Sequence, residues 1–266
     1  CWTMIKFTKY VKVSSLEEAY ELNKSRANVI MGGMMWLGMQ NRNIGTAVDI
    51  SGLGLDRIEE NDESYIIGAM VPLRSLECHE ELNEYTKGAV KESLRHIVGV
   101  QFRNMATVGG SLYGRYGFSD VLTLFMAIGA SVQLYKAGTV DIAAFADMPF
   151  DNDILVSVTI PKKTIEIAYK SIRNSATDFP VLTCCTVKSE DSVRTAIGAR
   201  PQRAMLIADE EGILTTGITS ENADAFGRYV EQNIVTESNN RASAGYRKKM
   251  AGVLAKRCLR QIGGLE

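Results

Sequence analysis

Short apolar runs separated by polar, glycine-bearing breaks set the pattern of the chain, and each run carries a helical or a strand-like period. Ser15-Leu16-Glu17-Glu18 is a capping box that opens a short helix through Leu22. Val29-Ile30-Met31 reads as a buried strand ending on Gly32-Gly33. Residues 46–50 predict a second strand closed by Ser51-Gly52, and residues 65–69 a third after the turn-rich Glu60-Asn61-Asp62. Pro72 stands where a helix can begin. Residues 87–100 place Val90, Leu94, Ile97 and Val98 at helical spacing, and residues 101–110 follow as a loop. Residues 119–128 are helical again with Gly129 as the stop, and residues 130–134 and 155–160 are strands.

Pro161-Lys162-Lys163-Thr164, polar and directly after a strand, is the best domain boundary. Beyond it come strand-like runs at 165–172, 181–188, 193–198 and 204–207, then helices near 221–232 and 242–261. The pattern is α+β, with short strands and helices in two lobes and then a separate sheet with helices on it. No internal repeat or low-complexity tract is present.

Composition narrows the function. A length of 266 residues suits one large domain or two modest ones. Residues of hydrophobic type make up 45% and the formal net charge is −1, which gives no basic excess for a nucleic-acid partner. No apolar run approaches the roughly 20 residues of a membrane span. Cys1-Trp2-Thr3-Met4 does not open a signal peptide, so a cytoplasmic protein is expected. Cys1, Cys78, Cys184, Cys185 and Cys258 have no metal-ligand spacing and read as small buried hydrophobes, with Cys184 and Cys185 on opposite faces of a strand.

Chemistry concentrates in two glycine pairs, Gly32-Gly33 and Gly109-Gly110. Paired glycines let main chain approach a ligand and turn N–H groups toward an anion, and each pair precedes a helix-like segment; a plain turn is the alternative at either place. Gly52-x-Gly54 lacks the third glycine of a Rossmann fingerprint, because Arg57 stands there. Gly109 and Gly114 have P-loop spacing, but Arg115-Tyr116 replace the lysine and hydroxyl that a P-loop needs. His79 and His96 have no triad partners nearby, so any chemistry belongs to a bound cofactor. Met34, Met35 and Met39 gather around Trp36 as core filling or as a cofactor shield, and seven cations between Arg241 and Arg260 form either a solvated helix face or a docking surface.

Phe102-Arg103-Asn104-Met105-Ala106-Thr107-Val108-Gly109-Gly110-Ser111-Leu112, followed by Ser119-Asp120, resembles the FAD-binding subunits of xanthine dehydrogenase, CO dehydrogenase and related molybdenum hydroxylases. The family's A-G-G-T-D-L falls on residues 31–36 and its V-D-I on Val48-Asp49-Ile50. Residues 154–161, Tyr169 to Arg173, Asp178, residues 198–204 and Tyr246-Arg247-Lys248 also fit, in collinear order along almost the whole chain. The resemblance implies a two-lobed FAD domain of the vanillyl-alcohol-oxidase (PCMH) type over residues 1–161, with lobes of about 1–55 and 56–161. A C-terminal domain of antiparallel sheet and helices would occupy 162–266.

By the same resemblance Val29, Ile30, Met31, Gly32, Gly33, Met34, Met35 and Trp36 wrap the FAD pyrophosphate. Thr107, Val108, Gly109, Gly110 and Ser111 hold the cofactor from the other lobe, and Asp120 takes a ribose or ribityl hydroxyl. Ile97, Leu155 and Lys170 lie against or near the isoalloxazine. No metal ligand and no catalytic acid or base is assigned to the chain. The implied role is electron transfer in a xanthine dehydrogenase-like complex, from a molybdopterin large subunit and a small [2Fe–2S] subunit to FAD here and on to NAD or another acceptor. Three departures stand out: Met34-Met35 for Thr-Asp, Ser111 for Asn, and Gly114-Arg115-Tyr116-Gly117 for N-A-S-P. They keep two rivals open, a stand-alone flavin oxidase of the same superfamily and a scaffold that has kept the fold with weak or lost FAD binding.

Overall fold

The computed structural model describes residues 5–190 and 192–265; the readings placed on Cys1 to Met4 lie outside the described residues. The strands divide by sequence into three sheets. Strands β1 (Lys6–Lys12), β2 (Val29–Met31) and β3 (Asn43–Asp49) form a parallel sheet of order β1-β3-β2. Strands β4 (Ile58–Glu60), β5 (Ser64–Gly68), β6 (Ser131–Leu134), β7 (Gly138–Asp141) and β8 (Leu155–Pro161) form an antiparallel sheet of order β4-β5-β8-β6-β7. Strands β9 (Glu166–Arg173), β10 (Pro180–Lys188), β11 (Val193–Gly198) and β12 (Met205–Ala208) form an antiparallel meander.

Helix α1 (Leu16–Asn23) packs on the first sheet around Ala19, Val48 and Ile50. Its cap differs in detail from the box read in the sequence: Ser15 Oγ accepts from Glu18 N, but Glu18 reaches back to Ser14 N at 2.8 Å. The second sheet carries a layer of short helices, α2 (Leu73–Glu77), α3 (Glu80–Tyr85), α4 (Ala89–Leu94), α5 (Val100–Met105), α6 (Val108–Tyr113), α7 (Asp120–Ile128) and α8 (Ile142–Asp147). Every residue of α7 is buried. It begins at an N-cap on Ser119 and stops at Gly129 with φ 77°, as its sequence requires. One side of α7 meets α4, α6 and α8; the other meets β10 and β11. The meander is therefore covered on one face by α7 and α4 and on the other by α9 (Ser220–Asn233) and α10 (Ala244–Ile262). That double cover explains why β10 is buried from Pro180 to Val187, and why Cys184 and Cys185 enter two different cores, as their alternation demands. Among the described residues no helix is long and apolar enough to cross a membrane.

Several sequence expectations are corrected. The single helix expected over 87–100 is only α4, because the chain turns at Val98 with φ 51° and restarts at Gly99. Arg103 pins that turn, its Nη1 donating to the Ile97 carbonyl at 3.0 Å. The loop expected over 101–110 is two helices, α5 and α6, with Thr107 extended between them and capping α6 through Gly110 N. Glycine disfavours helix by about 1 kcal/mol, but packing overrides it here, since a Cβ on Gly109 would stand 2.7 Å from the Ala69 carbonyl oxygen. Strands β1, β4 and β7 and helix α8 carry no pattern that the sequence reading used. Cys78 is exposed at the end of α2 rather than buried.

The C-terminal cations resolve into mostly internal contacts. Arg247 is fully buried and donates to the carbonyls of Val181, Glu237 and Ala242, tying the start of α10 to β10. Lys256 and Arg260 both reach Asp224 of α9, and Lys249 reaches Glu231. Lys248 and Arg257 are exposed.

Candidate functional site

A cavity of about 570 Å³ lies between the parallel sheet and the second sheet's helices. Its floor is the segment after β2. An apolar strand delivers Gly32 and Gly33 to the cavity, and a 3-10 turn (Leu37–Met39) carries the chain away. Gly33 has no room for a side chain, because a Cβ would meet the Met105 carbonyl oxygen at 1.8 Å. Met34 follows in the left-handed region at φ 61°, a conformation that costs a residue with a Cβ about 1–2 kcal/mol. Among the described residues, the main-chain N–H groups of Gly32, Gly33, Met34, Met35 and Trp36 have no protein acceptor. Five consecutive free donors beside a cavity are an arrangement that can accept an anionic ligand.

The second glycine pair sits opposite, at the start of α6, and is built differently. Val108 N donates to the Val71 carbonyl at 2.9 Å, Gly109 N to the Ala69 carbonyl at 2.8 Å, and Gly110 N to Thr107 Oγ1 at 3.2 Å. Its amides are therefore committed to the protein. The expectation that both pairs turn N–H groups toward an anion is corrected to one pair, and Gly109 serves close packing instead. Beneath this pair Glu77 of α2 holds Arg103 of α5 with contacts of 2.8 and 3.3 Å, and both side chains are buried. Burial raises the Glu77 carboxyl, but the guanidiniums of Arg103 and Arg74 outweigh it and leave its pKa below the ordinary value.

A second cavity of about 300 Å³ shares Trp36, Ser111 and Tyr116 with the first. Both volumes fall within the roughly 300–1,000 Å³ usual for cofactor sites. Aromatic rings form its wall. Trp36 lies 5.4 Å from Phe102, 5.8 Å from Phe118 and 5.4 Å from Phe179, the last nearly parallel; Tyr116 stacks on Phe118 at 5.1 Å. Its polar end is Asp120, at the first turn of α7, where the helix dipole favours a carboxylate. Asp120 accepts from the Tyr169 hydroxyl at 2.6 Å and from Arg173. Burial pushes the Asp120 carboxyl up, against the pull of Arg173 and Tyr169, and pushes the Tyr169 hydroxyl well above its ordinary value.

The structure thus brings Val29, Ile30, Gly32, Gly33, Met34, Met35, Trp36, Thr107, Gly109, Gly110, Ser111 and Leu155 around the first cavity. Ile97 and Asp120 join Trp36 and Ser111 around the second. Met31, the last residue of β2, and Val108, buried under Val71, line neither; nor does Lys170, on β9 beside Tyr169. Most of the second cavity's wall was not among the expected site residues, including the aromatics Phe102, Phe118 and Phe179 and the cation Arg173. Phe102 and Phe118 carried a signal, as aromatics beside Arg103 and Ser119-Asp120, but only the fold brings β9, the 173–180 turn and α5 together. His79 is structural, its Nδ1 accepting from Leu82 N at the start of α3.

Comparison with known proteins identifies the two parts of the chain. Residues 5–163 match the family described as the FAD binding domain in molybdopterin dehydrogenase, and residues 167–262 match the CO dehydrogenase flavoprotein C-terminal domain. The chain is similar to the glyceraldehyde dehydrogenase medium chain of Sulfolobus acidocaldarius, 23% identical over 95% of this chain and 97% of that one. It is 24% identical to the Escherichia coli K12 protein YgfM, over 92% of this chain and 93% of that protein. Among solved structures, a Hydrogenophaga pseudoflava CO dehydrogenase chain superposes with a TM-score of 0.84 at 22% identity, covering 95% of this chain and 96% of its own.

Proposed function

The chain belongs to the family of FAD-binding domains of molybdopterin dehydrogenases, and from that premise we propose how it holds the cofactor and with what it assembles. It is an FAD-binding oxidoreductase subunit of the medium-chain type found in molybdenum hydroxylases. The observation that carries the binding mode is the run of five free N–H groups at Gly32 to Trp36. In this reading those amides take the FAD pyrophosphate, with Val29, Ile30 and Leu155 as apolar walls. The flavin ring belongs in the second cavity beside Trp36 and Ile97, and Asp120 takes a sugar or ribityl hydroxyl at that end. Thr107, Gly109, Gly110 and Ser111 close the first cavity as a packed wall, and Met31, Val108 and Lys170 act through the elements they belong to, β2, α6 and β9. The apolar shape and the free donors fit a dinucleotide that spans two cavities.

Bound FAD supplies the redox chemistry; the protein's part is to bind it, exclude water and set its electrostatics. No side chain here is assigned to proton transfer. The finer proposal adds a small [2Fe–2S] subunit and a large molybdopterin subunit as partners, with NAD as one candidate acceptor. The relatives' printed names cover glyceraldehyde, nicotine and carbon monoxide, so the substrate is a property of the large subunit, and a purine such as xanthine is one candidate among several. The domain division at residues 161/162, with lobes of about 1–55 and 56–161, and a cytoplasmic location belong to the same proposal; the separation of the strands among three sheets supports the division.

The test is direct. The purified chain is expected to carry flavin absorption and to release FAD on denaturation. A colourless protein that takes up no added FAD overturns the reading in favour of a scaffold. Isolation with flavin but with neither partner subunit, together with substrate turnover by the lone chain, would favour a free-standing oxidase.

A further inference from the structure

The Gly114–Gly117 turn, where the chain leaves its family's pattern, holds a cation in an uncompensated state. Arg115 is 3% exposed and adopts φ 46°, in the left-handed region. Its Nε donates to the Phe145 carbonyl at 2.9 Å, but Nη1 and Nη2 are buried without any hydrogen-bond partner. The guanidinium is covered by aromatic faces instead, 4.2 Å from the Phe145 centroid, 4.7 Å from Phe150 and 5.4 Å from Tyr113. Cation–π contacts recover only part of what a buried charge loses on leaving water. Burial accordingly pulls the Arg115 pKa down; Tyr113 and Asp151 favour its charge and Arg203 disfavours it.

Phe145 belongs to the core, but part of the cover lies outside it. Phe150 is 62% exposed, on the irregular segment between α8 and β8, although its ring faces a buried cation. Tyr113, Gly114, Tyr116, Phe150 and Asp151 all line the large cavity, so that cavity begins where the guanidinium's aromatic cover ends. Across the cavity stand the five free amides, while the amides of the nearer glycine pair are spent on Ala69, Val71 and Thr107. A diphosphate bound by the Gly32 loop therefore finds no donor in the main-chain amides of Val108, Gly109 and Gly110 at the start of α6.

We propose that Arg115 supplies that missing donor: it is a phosphate ligand, shielded by Phe150 in the ligand-free chain and exposed to the cavity when Phe150 swings outward. Two parallel N–H groups of a guanidinium suit a phosphate's oxygens, and a buried, pre-stacked side chain loses little freedom on binding. The inference rests on the flavin reading for the identity of the diphosphate, but the site itself asks only for a phosphate-bearing ligand.

The experiment compares full-length wild type, Arg115→Gln, Arg115→Lys and Phe150→Ala, each stripped of flavin. Affinities are measured for FAD, for ADP, which keeps the diphosphate and lacks the flavin, and for riboflavin, which has no phosphate. Arg115→Gln is expected to weaken FAD and ADP by about tenfold or more and to leave riboflavin within about twofold. Arg115→Lys should recover part of the loss, because it keeps the charge and not the fork. Phe150→Ala should raise the FAD association rate several-fold, on the order expected for removing a conformational step. The melting temperature of ligand-free Arg115→Gln should not fall, since an unpaired buried charge is removed. FAD and ADP affinities unchanged in Arg115→Gln overturn the proposal and leave the flavin reading intact. Equal losses for FAD and riboflavin also overturn it, by reducing Arg115 to a structural role. Should Arg115→Gln fail to fold, an unchanged association rate in Phe150→Ala overturns it. Wild type that binds ADP but not FAD sinks the flavin reading and keeps the phosphate site, and wild type that binds neither sinks both.

Discussion

Gly32-Gly33 and Gly109-Gly110 are the same dipeptide on two sides of one cavity, yet they differ in what their backbones do. After the first pair the chain bends through a left-handed Met34, and from Gly32 to Trp36 five N–H groups have no acceptor among the described residues. The second pair begins a helix, and its amides are bonded to Ala69 and to Thr107 Oγ1. The distinction follows from the segment ahead of each pair. Met31 ends a strand whose ladder stops there, so nothing continues the hydrogen bonding. Thr107 is a helix cap, so the following residues are drawn into α6. A glycine pair thus marks close approach of main chain in both places, but only context decides whether the approach is to a ligand or to the protein's own backbone.

The sharpest way to break this comparison is to loosen the support under the second pair. Glu77→Gln removes the charge that neutralises buried Arg103, and breaking such a pair costs about 3–5 kcal/mol. Denaturant unfolding measures it; a loss below about 1 kcal/mol would show that the α5–α6 turn does not depend on this ion pair. The pH dependence has a defined direction. The Glu77 carboxyl is held below its ordinary value in the folded state, so its contribution is present in full above about pH 4.5. It is lost as pH falls through the depressed folded value. Acid unfolding of wild type should therefore be steeper than that of Glu77→Gln over this window.

Alanine at each glycine pair separates packing from binding. Gly109→Ala places a Cβ 2.7 Å from a carbonyl of the chain itself, and overpacking of this kind costs about 1–3 kcal/mol. Gly32→Ala meets only the Thr107 hydroxyl, at 3.0 Å, and should cost about 1 kcal/mol or less, the worth of a disturbed cap. Its methyl group stands beside the free amides, so FAD affinity should fall by about tenfold, roughly one lost charge-assisted hydrogen bond. Urea midpoints and flavin titration of the two variants test this together. Equal stability losses with equal affinity losses would erase the difference between the pairs.

Much of this arrangement was legible in the sequence because local rules and tertiary context agree there. Ser119 and Gly129 bound a helix whose every residue is buried, and both ends fall where cap chemistry puts them. The Cys184-Cys185 alternation likewise survives, since a strand covered on both faces must still point neighbours to opposite sides. Residues 95–110 were misread because the deciding interactions are distant in sequence. The Ile97 carbonyl is taken by Arg103, Arg103 is held by Glu77, and Gly109 is seated on Ala69. None of these contacts leaves a periodic signal. Strand β1 was missed for a related reason: its KFTKYVK run is largely exposed along its length, so no apolar alternation marks it. The first glycine loop was marked in the sequence by its paired glycines, and in the structure Gly33 packs against the Met105 carbonyl, but the aromatic wall around Trp36 needed four separate segments to be brought together.

The smallest effect sharpens the contrast most, because it concerns strain present in one pair's neighbourhood and absent from the other's. Met34 stands at φ 61° immediately after Gly32-Gly33, whereas the residue after Gly110 is an ordinary helical serine. Met34→Gly relieves about 1–2 kcal/mol of left-handed strain and gives back about 0.5–1 kcal/mol through the greater freedom of the unfolded chain. The expected result is a net gain in stability between about zero and about 1.5 kcal/mol, read from the unfolding midpoint of the flavin-free protein. Strain at a binding loop persists only where surrounding contacts impose it, and here Gly33 is locked against the Met105 carbonyl on the preceding side. If that lock alone orients the five amides, FAD affinity stays unchanged in Met34→Gly. If the methionine's restricted backbone also holds them in place, the stabilised variant binds FAD more weakly, and the freedom that glycine restores is the freedom the loop must lose again on binding.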